Sequence, residues 1–556
     1  MTSGLLQQIA TTLIISRMLI ACILGMISML VPASARSPFE VRLTSDVADV
    51  GVEFGLVVNH ANTIEREPTL VPPPGNYSRG SMIVAAFRSL DPKLPGTYEV
   101  YVTNSTGNIP LTHEHKRAAK GDALGSGGMC LYRWVTADFR TYQGGACVLW
   151  LSSDGLGDVK TITRDDETGK YYLIWWGPGH DTNGGAPYLK TSQDHGTSWS
   201  PKWVYVPGLD HYNPPGTTIH TKDDINLIYQ PGVGLVDCQM WWQKNASVCP
   251  ARGPPSKTHC QIPPYCDNSG CDKRRVLGTL TGDDTGTSWT FNDYQESTRM
   301  PGVELDDPPE LQFYRMRPSL VPGTRGTRLF AHVLLYAPSP YIGPGYGRQP
   351  TDCSPTQHQC HGPHMYEEWW TLPAGASAAN MTAWRRPARF TKMAPENAYL
   401  FAQPGLVGTG AATKMVWVGS GAVYTLPLHR AVGVYAPANA RITLPAFDLS
   451  AATATTQLFL NADVHWNPPL LAGGCDETCA AYVLVELEDS KGNIIEGYDR
   501  ASFHPIMNQS AINIPLLWNN SSRLPLGHST VRAKVWFRAA KVYAIYLGES
   551  FDPAAF

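Results

Sequence analysis

Along most of the chain, short apolar runs alternate with charged or Gly/Pro-rich turns. A second run, rich in aromatics, follows each turn. Ser81–Arg88 (SMIVAAFR), the turn LDPKLPG and Tyr98–Thr103 (YEVYVT) form the first such pair. Asp158–Thr163 and Tyr171–Trp176, around RDDETGK, form the second; Thr217–His220 and Ile225–Gln230, around TKDD, form the third. Leu311–Leu320 with Arg328–Tyr336, and Tyr399–Val407 with Lys414–Gly419, complete the series. No amphipathic helical period of any length interrupts them. Five repeats at a spacing of roughly 60 to 90 residues predict an all-β, five-bladed β-propeller.

From about Pro437 the rhythm changes. Gln457–Val464, Ala481–Glu488, Ile494–Tyr498, Thr530–Phe537 and Lys541–Leu547 read as short alternating strands of a C-terminal β-sandwich. At the other end, Arg17 precedes the apolar run Met18–Leu30, and Val31-Pro32-Ala33-Ser34-Ala35 supplies an A-x-A cleavage site. That order is a secretory signal. The expected division is residues 1–35 signal peptide, 36–436 propeller and 437–556 sandwich, secreted, with no membrane span in the mature chain. Composition agrees with many turns: 51 Gly, 45 Pro and 10% aromatics.

Export accounts for two further features. Sequons occur at Asn76, Asn104, Asn245, Asn380, Asn508, Asn519 and Asn520. Of 12 cysteines, Cys22 lies in the signal, which leaves an odd number and hence one free thiol or an intermolecular bridge. Close spacing suggests local bridges for Cys130 with Cys147, Cys353 with Cys360 and Cys475 with Cys479. Cys238, Cys249, Cys260, Cys266 and Cys271 crowd together without paired C-x-x-C knuckles, which argues against zinc. His113-Glu114-His115 and His361-Gly362-Pro363-His364 lie in loops, so no metal or other cofactor is expected. A net charge of −3 without a basic stripe excludes nucleic acid as a natural partner.

Two hairpins carry a signature. Ser192–Trp199 (SQDHGTSW) fits S-x-D-x-G-x-[ST]-W throughout, and Gly282–Trp289 (GDDTGTSW) fits except at its first residue. Thr136–Tyr142 is a weaker echo. They resemble the Asp boxes of sialidases and related propellers, in which an Asp accepts N–H bonds within the turn and Gly takes positive φ. Asp194 and Asp284 are therefore expected to be structural.

The order of motifs is similar to the five-bladed glycosidase superfamily containing glycoside hydrolase families 32 and 43, and to uncharacterised secreted members of it. The likeness rests on Arg274–Gly278 (RRVLG), Leu305–Tyr314 (LDDPPELQFY), Leu460–Asp463 (LNAD) and Val531–Leu547, and spans most of the chain from about residue 80. It implies a propeller with a following sandwich, and cleavage of glycosidic bonds in a carbohydrate substrate. The W-x-N-D-P-N-G, R-D-P and E-C motifs of family 32 are not recognisable here, so the sugar is left open.

Glycosidic hydrolysis needs two carboxyl groups across the anomeric carbon, one kept protonated and one ionised. In a propeller, acids at the starts of innermost strands converge although distant in sequence. That selects Glu310 as general acid, Asp158 as nucleophile or base and Asp210 as a third carboxylate. Glu65, Glu67 and Glu396 are further acids near strand starts. Pro308-Pro309 stiffen the approach to Glu310, and the aromatics after it would dry its carboxyl. The plainer reading makes Asp306, Asp307 and Glu310 a solvated turn, and the others ordinary strand-start acids. Tyr314, Arg315 and Trp176 are the expected sugar contacts, with Arg317 beside them. Trp175-Trp176, Trp241-Trp242 and Trp369-Trp370 can each turn only one ring towards a given face, and Glu367-Glu368 falls mid-blade. Two rivals remain: a propeller that binds glycans without cleaving them, and an exo-sialidase, whose arginine triad and tyrosine nucleophile cannot be assembled here. Oligomeric state is not legible.

Overall fold

The computed structural model describes residues 40–75, 82–105, 129–151, 159–177, 186–201, 204–205, 219–244, 273–293, 312–324, 328–336, 365–389, 391–394, 405–419, 421–464 and 481–551. Among them the chain is all-β, with antiparallel sheets and no α-helix. Five sheets follow one another as meanders. Sheet 1 is Met82–Arg88, Tyr98–Ser105, Met129–Thr136 and Gln143–Leu151; sheet 2 is Val159–Arg164, Tyr171–Gly177, Ala186–Ser192 and Val204–Tyr205. Sheet 3 is Ile219–Gln230, Gly234–Lys244, Lys273–Gly282 and Trp289–Asp293. Sheet 4 is Gln312–Leu320, Leu329–Tyr336 and Met365–Leu372. Sheet 5 is Gly405–Val407, Lys414–Gly419 and Ala422–Pro427, completed by Glu65–Arg66 from the other end of the chain.

The sheets touch in sequence order, and the order returns to its beginning. Arg164 of sheet 2 donates to the Arg88 carbonyl of sheet 1 (2.6 Å), and the Tyr229 amide of sheet 3 donates to Thr163 Oγ1 of sheet 2 (2.8 Å). Gln230 of sheet 3 bonds both ways with Ala376 and Ala378, which follow sheet 4 (2.8 and 2.7 Å). Trp369 of sheet 4 packs on Trp417 of sheet 5 (5.5 Å between centroids). The Leu406 amide of sheet 5 then donates to the Tyr98 hydroxyl of sheet 1 (2.9 Å). A β-propeller is the arrangement that such closure describes.

The two Asp-box turns clip sheet 2 to sheet 1 and sheet 3 to sheet 2. In the first, Asp194 accepts from the Ser198 amide (2.8 Å) and hydroxyl (2.7 Å), and the His195 carbonyl accepts from Tyr101 of sheet 1 (3.0 Å). Gly196 has φ +67°, and a Cβ there would lie 2.1 Å from the Tyr101 hydroxyl. In the second, the acceptor is Asp283 and not the expected Asp284: Asp283 Oδ1 receives the Thr287 amide at 2.9 Å and the Ser288 amide at 3.3 Å. Asp284 instead offers its carbonyl to Tyr172 (2.9 Å) and Lys170 (2.8 Å) of sheet 2. In the echo, Asp138 Oδ1 accepts from the Arg140 and Thr141 amides (2.9 and 3.0 Å), and Phe139 takes φ +55°.

The third expected hairpin is absent. Ile219–Gln230 is a single strand whose partner is Gly234–Lys244, and TKDD is absorbed as two bulges that leave Lys222 and Asp224 without cross-strand partners. The turn lies instead at Pro231-Gly232, with Gly232 at φ +78°.

The remaining sheets form the sandwich. Sheet 6 orders Ser510–Pro515, Gln457–Asp463, Ala540–Gly548, Val432–Ala436 and Val58–Ala61, with Glu40–Leu43 also on Ala540–Gly548. Sheet 7 orders Gly51–Phe54, Ala440–Thr443 and Thr530–Arg538, with Phe447–Asp448 and Tyr482–Glu488 also on Thr530–Arg538. Strands from residues 40–61, which the sequence reading allotted to the propeller, therefore pair within the sandwich sheets. Ile494–Tyr498 is not a strand; Ile494 makes one isolated bridge to Glu488. Between the sheets, Val483, Val485, Leu487, Val531, Ala533, Val535 and Phe537 of sheet 7 bury against Leu458, Leu460, Val542 and Ile545 of sheet 6.

Sheet 6 docks on sheets 4 and 5 through a polar rivet. His429 Nε2–H donates to the Pro322 carbonyl (2.7 Å), and Nδ1 accepts from the Tyr546 hydroxyl (3.0 Å). Asn461 donates to Tyr546 (3.0 Å) and the Leu428 carbonyl (2.7 Å), and accepts from Arg430 Nε (2.8 Å). The LNAD stretch thus has a structural task, with its Asn at the joint. Burial holds His429 down at about 4 against an ordinary 6.5.

Two outcomes are expected. Asp283→Ala should cost about 1 kcal/mol in urea unfolding, as for loss of a capping carboxylate, while Asp284→Ala, which keeps its carbonyl, should stay within about 0.5 kcal/mol. His429 remains neutral in the folded chain where it would protonate once unfolded. Its contribution is therefore complete above pH 6.5 and is lost as pH falls through 6.5 towards 4, by about 3 kcal/mol in total. Unfolding measured across that window should show His429→Gln losing this part of the slope.

Candidate functional site

The first strands of successive sheets meet at the centre of the ring. Met82–Arg88 contacts Val159–Arg164, which contacts Ile219–Gln230, which contacts Gln312–Leu320, and Gly405–Val407 contacts Met82–Arg88. Four of them line one small cavity through Val84, Ala85, Thr161, Ile162, Asn226, Leu227, Arg317 and Pro318. At ≈ 20 Å³ it has room for a water molecule and not for a sugar ring. Any larger ligand on this axis must sit beyond it, towards one end of the strands.

A shared irregularity marks their N-terminal halves. Val84, Lys160, Lys222, Asp224 and Tyr314 are each an extra residue, unpaired across from the second strand. Bulges re-aim side chains and gather at barrel rims and active sites. Here they fall at or before the axial cavity, towards the strand starts, in four sheets. The sequence reading, which took TKDD for a turn, passed over Asp223 and Asp224; the backbone puts both in an axial strand. The signal available was Pro231-Gly232, a turn dipeptide on the far side of INLIYQ.

The expected site residues divide as follows. Asp158, Asp210 and Glu310 lie outside the described residues, as does Glu396. Asp158 immediately precedes the first strand of sheet 2, and Glu310 comes two residues before that of sheet 4. Trp176 lies in the second strand of sheet 2, opposite Pro187. Tyr314 is the half-buried bulge residue of the first strand of sheet 4. Arg315 does not open onto the axis: it is 5% exposed, and its guanidinium donates to Glu367 Oε1 on the third strand (2.9 Å). This arginine is held by the buried acid of the third strand. Glu65 and Glu67 fall in and beside the strand that completes sheet 5, and Glu67 pairs with Lys414 (2.9 Å).

The mid-blade acids are buried at the seams. Glu367 also lies 3.8 Å from His332 Nδ1. Burial would raise its carboxyl, but His332 and Arg315 outweigh this and hold it below the usual range. Burial lowers His332, and Arg315 and Arg317 add to that. On the opposite face Glu368 accepts two bonds from Arg386 (2.8 and 3.0 Å) and one from Tyr366 (3.0 Å), with no side-chain exposure for the pair. Arg386 lies over the rings of Phe313 and Trp370. Between sheets 1 and 2, Glu99 accepts from Ser89, Tyr101, Arg133 and Tyr171 at 2.7 to 3.0 Å. Glu99 and Glu368 are held by several donors and Glu367 by Arg315, and none of the three lines the axial cavity. Among the described residues no cluster of His, Cys, Asp and Glu is spaced to hold a metal.

No family model matches the chain, and no curated protein sequence does. Solved structures similar to it include one described as a glycoside hydrolase, at 9% identity and TM-score 0.35, covering 68% of this chain and 92% of that one. Another is an exo-inulinase from Aspergillus awamori, at 8% identity and TM-score 0.33, covering 90% and 98%. A third is an exo-β-1,3-galactanase from Phanerochaete chrysosporium, at 9% and 0.28, covering 88% and 99%. Likenesses this distant leave the fold resting on its own strand pairings and hydrogen bonds.

Removing one partner of the seam pair should be severe. Glu368→Gln strands a buried guanidinium, and denaturant unfolding should register a loss of about 3–5 kcal/mol, whereas replacing both Glu368 and Arg386 by apolar residues should recover much of it.

Proposed function

We propose that this chain is a secreted glycoside hydrolase, a five-bladed propeller whose catalytic carboxyl groups gather at the N-terminal ends of its axial strands. Glu310 is the general acid, Asp158 the nucleophile or base, and Asp210 a third carboxylate that orients the sugar or tunes the acid. Tyr314 and Trp176 are the sugar contacts. One observation supports the reading: the described first strands of separate sheets touch one another and line one axial cavity, so acids entering those strands would come together from distant parts of the chain. Protonated and ionised carboxyls facing each other across a sugar are what glycosidic cleavage requires. Asp223 and Asp224, on the doubly bulged strand of sheet 3, join the candidates.

Secretion is supported by the bridge between Cys130 and Cys147, with Cα atoms 5.8 Å apart, since such bonds persist in oxidising compartments. Asn380, Asn508, Asn519 and Asn520 are exposed, as glycan acceptors must be. No described helix is long and apolar enough to cross a membrane.

The test is a panel of chromogenic glycosides offered to the secreted protein and to Glu310→Gln, Asp158→Asn and Asp210→Asn. Glu310→Gln should lower kcat by about 10²- to 10⁴-fold on whichever glycoside is cleaved, and should remove the alkaline limb of the pH–rate profile. Turnover unchanged in both Glu310→Gln and Asp158→Asn would refute the axial assignment. A protein that binds glycans and cleaves none would be the non-catalytic propeller.

A further inference from the structure

Sheet 6 of the sandwich is covered by the propeller, and the outward face of sheet 7 points the other way. Along Thr530–Arg538 the residues alternate: Val531, Ala533, Val535 and Phe537 enter the core, while Arg532, Lys534, Trp536 and Arg538 face out. Cross-strand pairing sets Phe54, Arg441, Trp536 and Leu484 in one row over four strands. Phe54 is 54% exposed and Val52, on the same edge strand, is 43% exposed. Both are unusual for an edge that nothing uses.

The centre of this row is a prepared cation. The guanidinium carbons of Arg441 and Arg500 each lie 4.6 Å from the centre of the Trp536 ring, whose N–H donates to Glu486 (2.9 Å). Arg441 is neutralised by Glu53 at 2.7 Å, and Lys534 pairs with Glu488. Arg500 is exposed and has no carboxylate in ion-pair range among the described residues. Its position is fixed by the ring, so its donors are presented with little entropy left to lose. Around it, among the described residues, Arg441, Arg532 and Lys534 pair with Glu53 and Glu488, and Glu486 accepts from the Trp536 ring.

We infer that this face is a second, non-catalytic binding site for a carboxylate-bearing polysaccharide, with Arg500 as the anchor for a uronate group and Phe54 as the surface for an apolar sugar face. A guanidinium fork matches a carboxylate with two parallel bonds. The excess of cations is small, which suits a polymer bearing one charge per sugar; duplex DNA draws its affinity from many phosphate contacts at once. An open row across several strands accommodates an extended chain better than an isolated ion. The inference rests on the glycan reading for its ligand class and is independent of any chemistry at the axis.

Affinity electrophoresis of the full chain through gels containing polygalacturonate, dextran or duplex DNA separates the possibilities. Wild type and Glu310→Gln should be retarded alike by polygalacturonate and not by dextran, so that loss of hydrolysis and loss of this site are read separately. Arg500→Ala should weaken retardation about tenfold or more, and Arg500→Lys, which keeps the charge but loses the fork, should fall between. Arg500 is exposed, so both variants should keep the wild-type thermal midpoint; should Arg500→Ala not, Arg500→Lys alone decides. Absence of retardation by polygalacturonate, equal retardation by dextran, preference for DNA, or variants indistinguishable from wild type would overturn the site.

Discussion

The structure depends on closing a ring of sheets, and the closure is made by a strand of two residues. Glu65–Arg66 pairs with Thr425 and Tyr424 and so completes sheet 5 with chain from upstream of sheet 1. Unless the last sheet is fixed against the first, the axial strands have no reason to converge, and acids far apart in sequence have no reason to meet. Glu67 with Lys414 and Tyr98 with Leu406 hold that junction from both sides. Upstream of it the same segment runs into the sandwich through Val58–Ala61, paired to Val432–Ala436. Ring closure and the sandwich are one continuous stretch of chain.

Much of the architecture was legible because its periodicity is local. Alternating runs with aromatic second strands identified sheets 1, 2 and 4, and the Asp boxes marked the clips between blades. What could not be read depended on partners distant in sequence. TKDD has the composition of a turn, yet a bulge lets polar residues remain inside a strand when the neighbouring strand continues past them. The motif spacing selects Asp284, yet Asp283 offers its carboxylate to the turn while Asp284 offers its carbonyl to Tyr172 and Lys170. The strands within residues 40–61 carry no blade signature because their partners lie hundreds of residues downstream.

The sequence names candidates for the site, and the structure shows the packing around some of them. Acids preceding axial strands follow from topology alone. Arg315 looked like a pocket residue because it lies near an axial strand's start, but alternation does not say whether a long side chain reaches inward or along the seam, and a buried Glu367 decides that. Glu99, Glu367 and Glu368 show why acids in β-rich chains are poor guides by themselves. Glu99 and Glu368 are each held by arginine and tyrosine in the buried interior and so serve packing.

The bulges near the mouths of the axial strands carry a consequence for how such a protein can diverge. Side chains in a strand alternate, so losing or gaining one unpaired residue turns over everything on one side of it and nothing on the other. Deleting the residue at Lys160 or Tyr314 would turn over the faces of the residues before it while leaving the register of the strand beyond it unchanged. Four blades carry this indexing point. A lineage built on this frame could therefore change what its mouth presents by single-codon insertions and deletions, a route closed to proteins whose strands run unbroken to the rim.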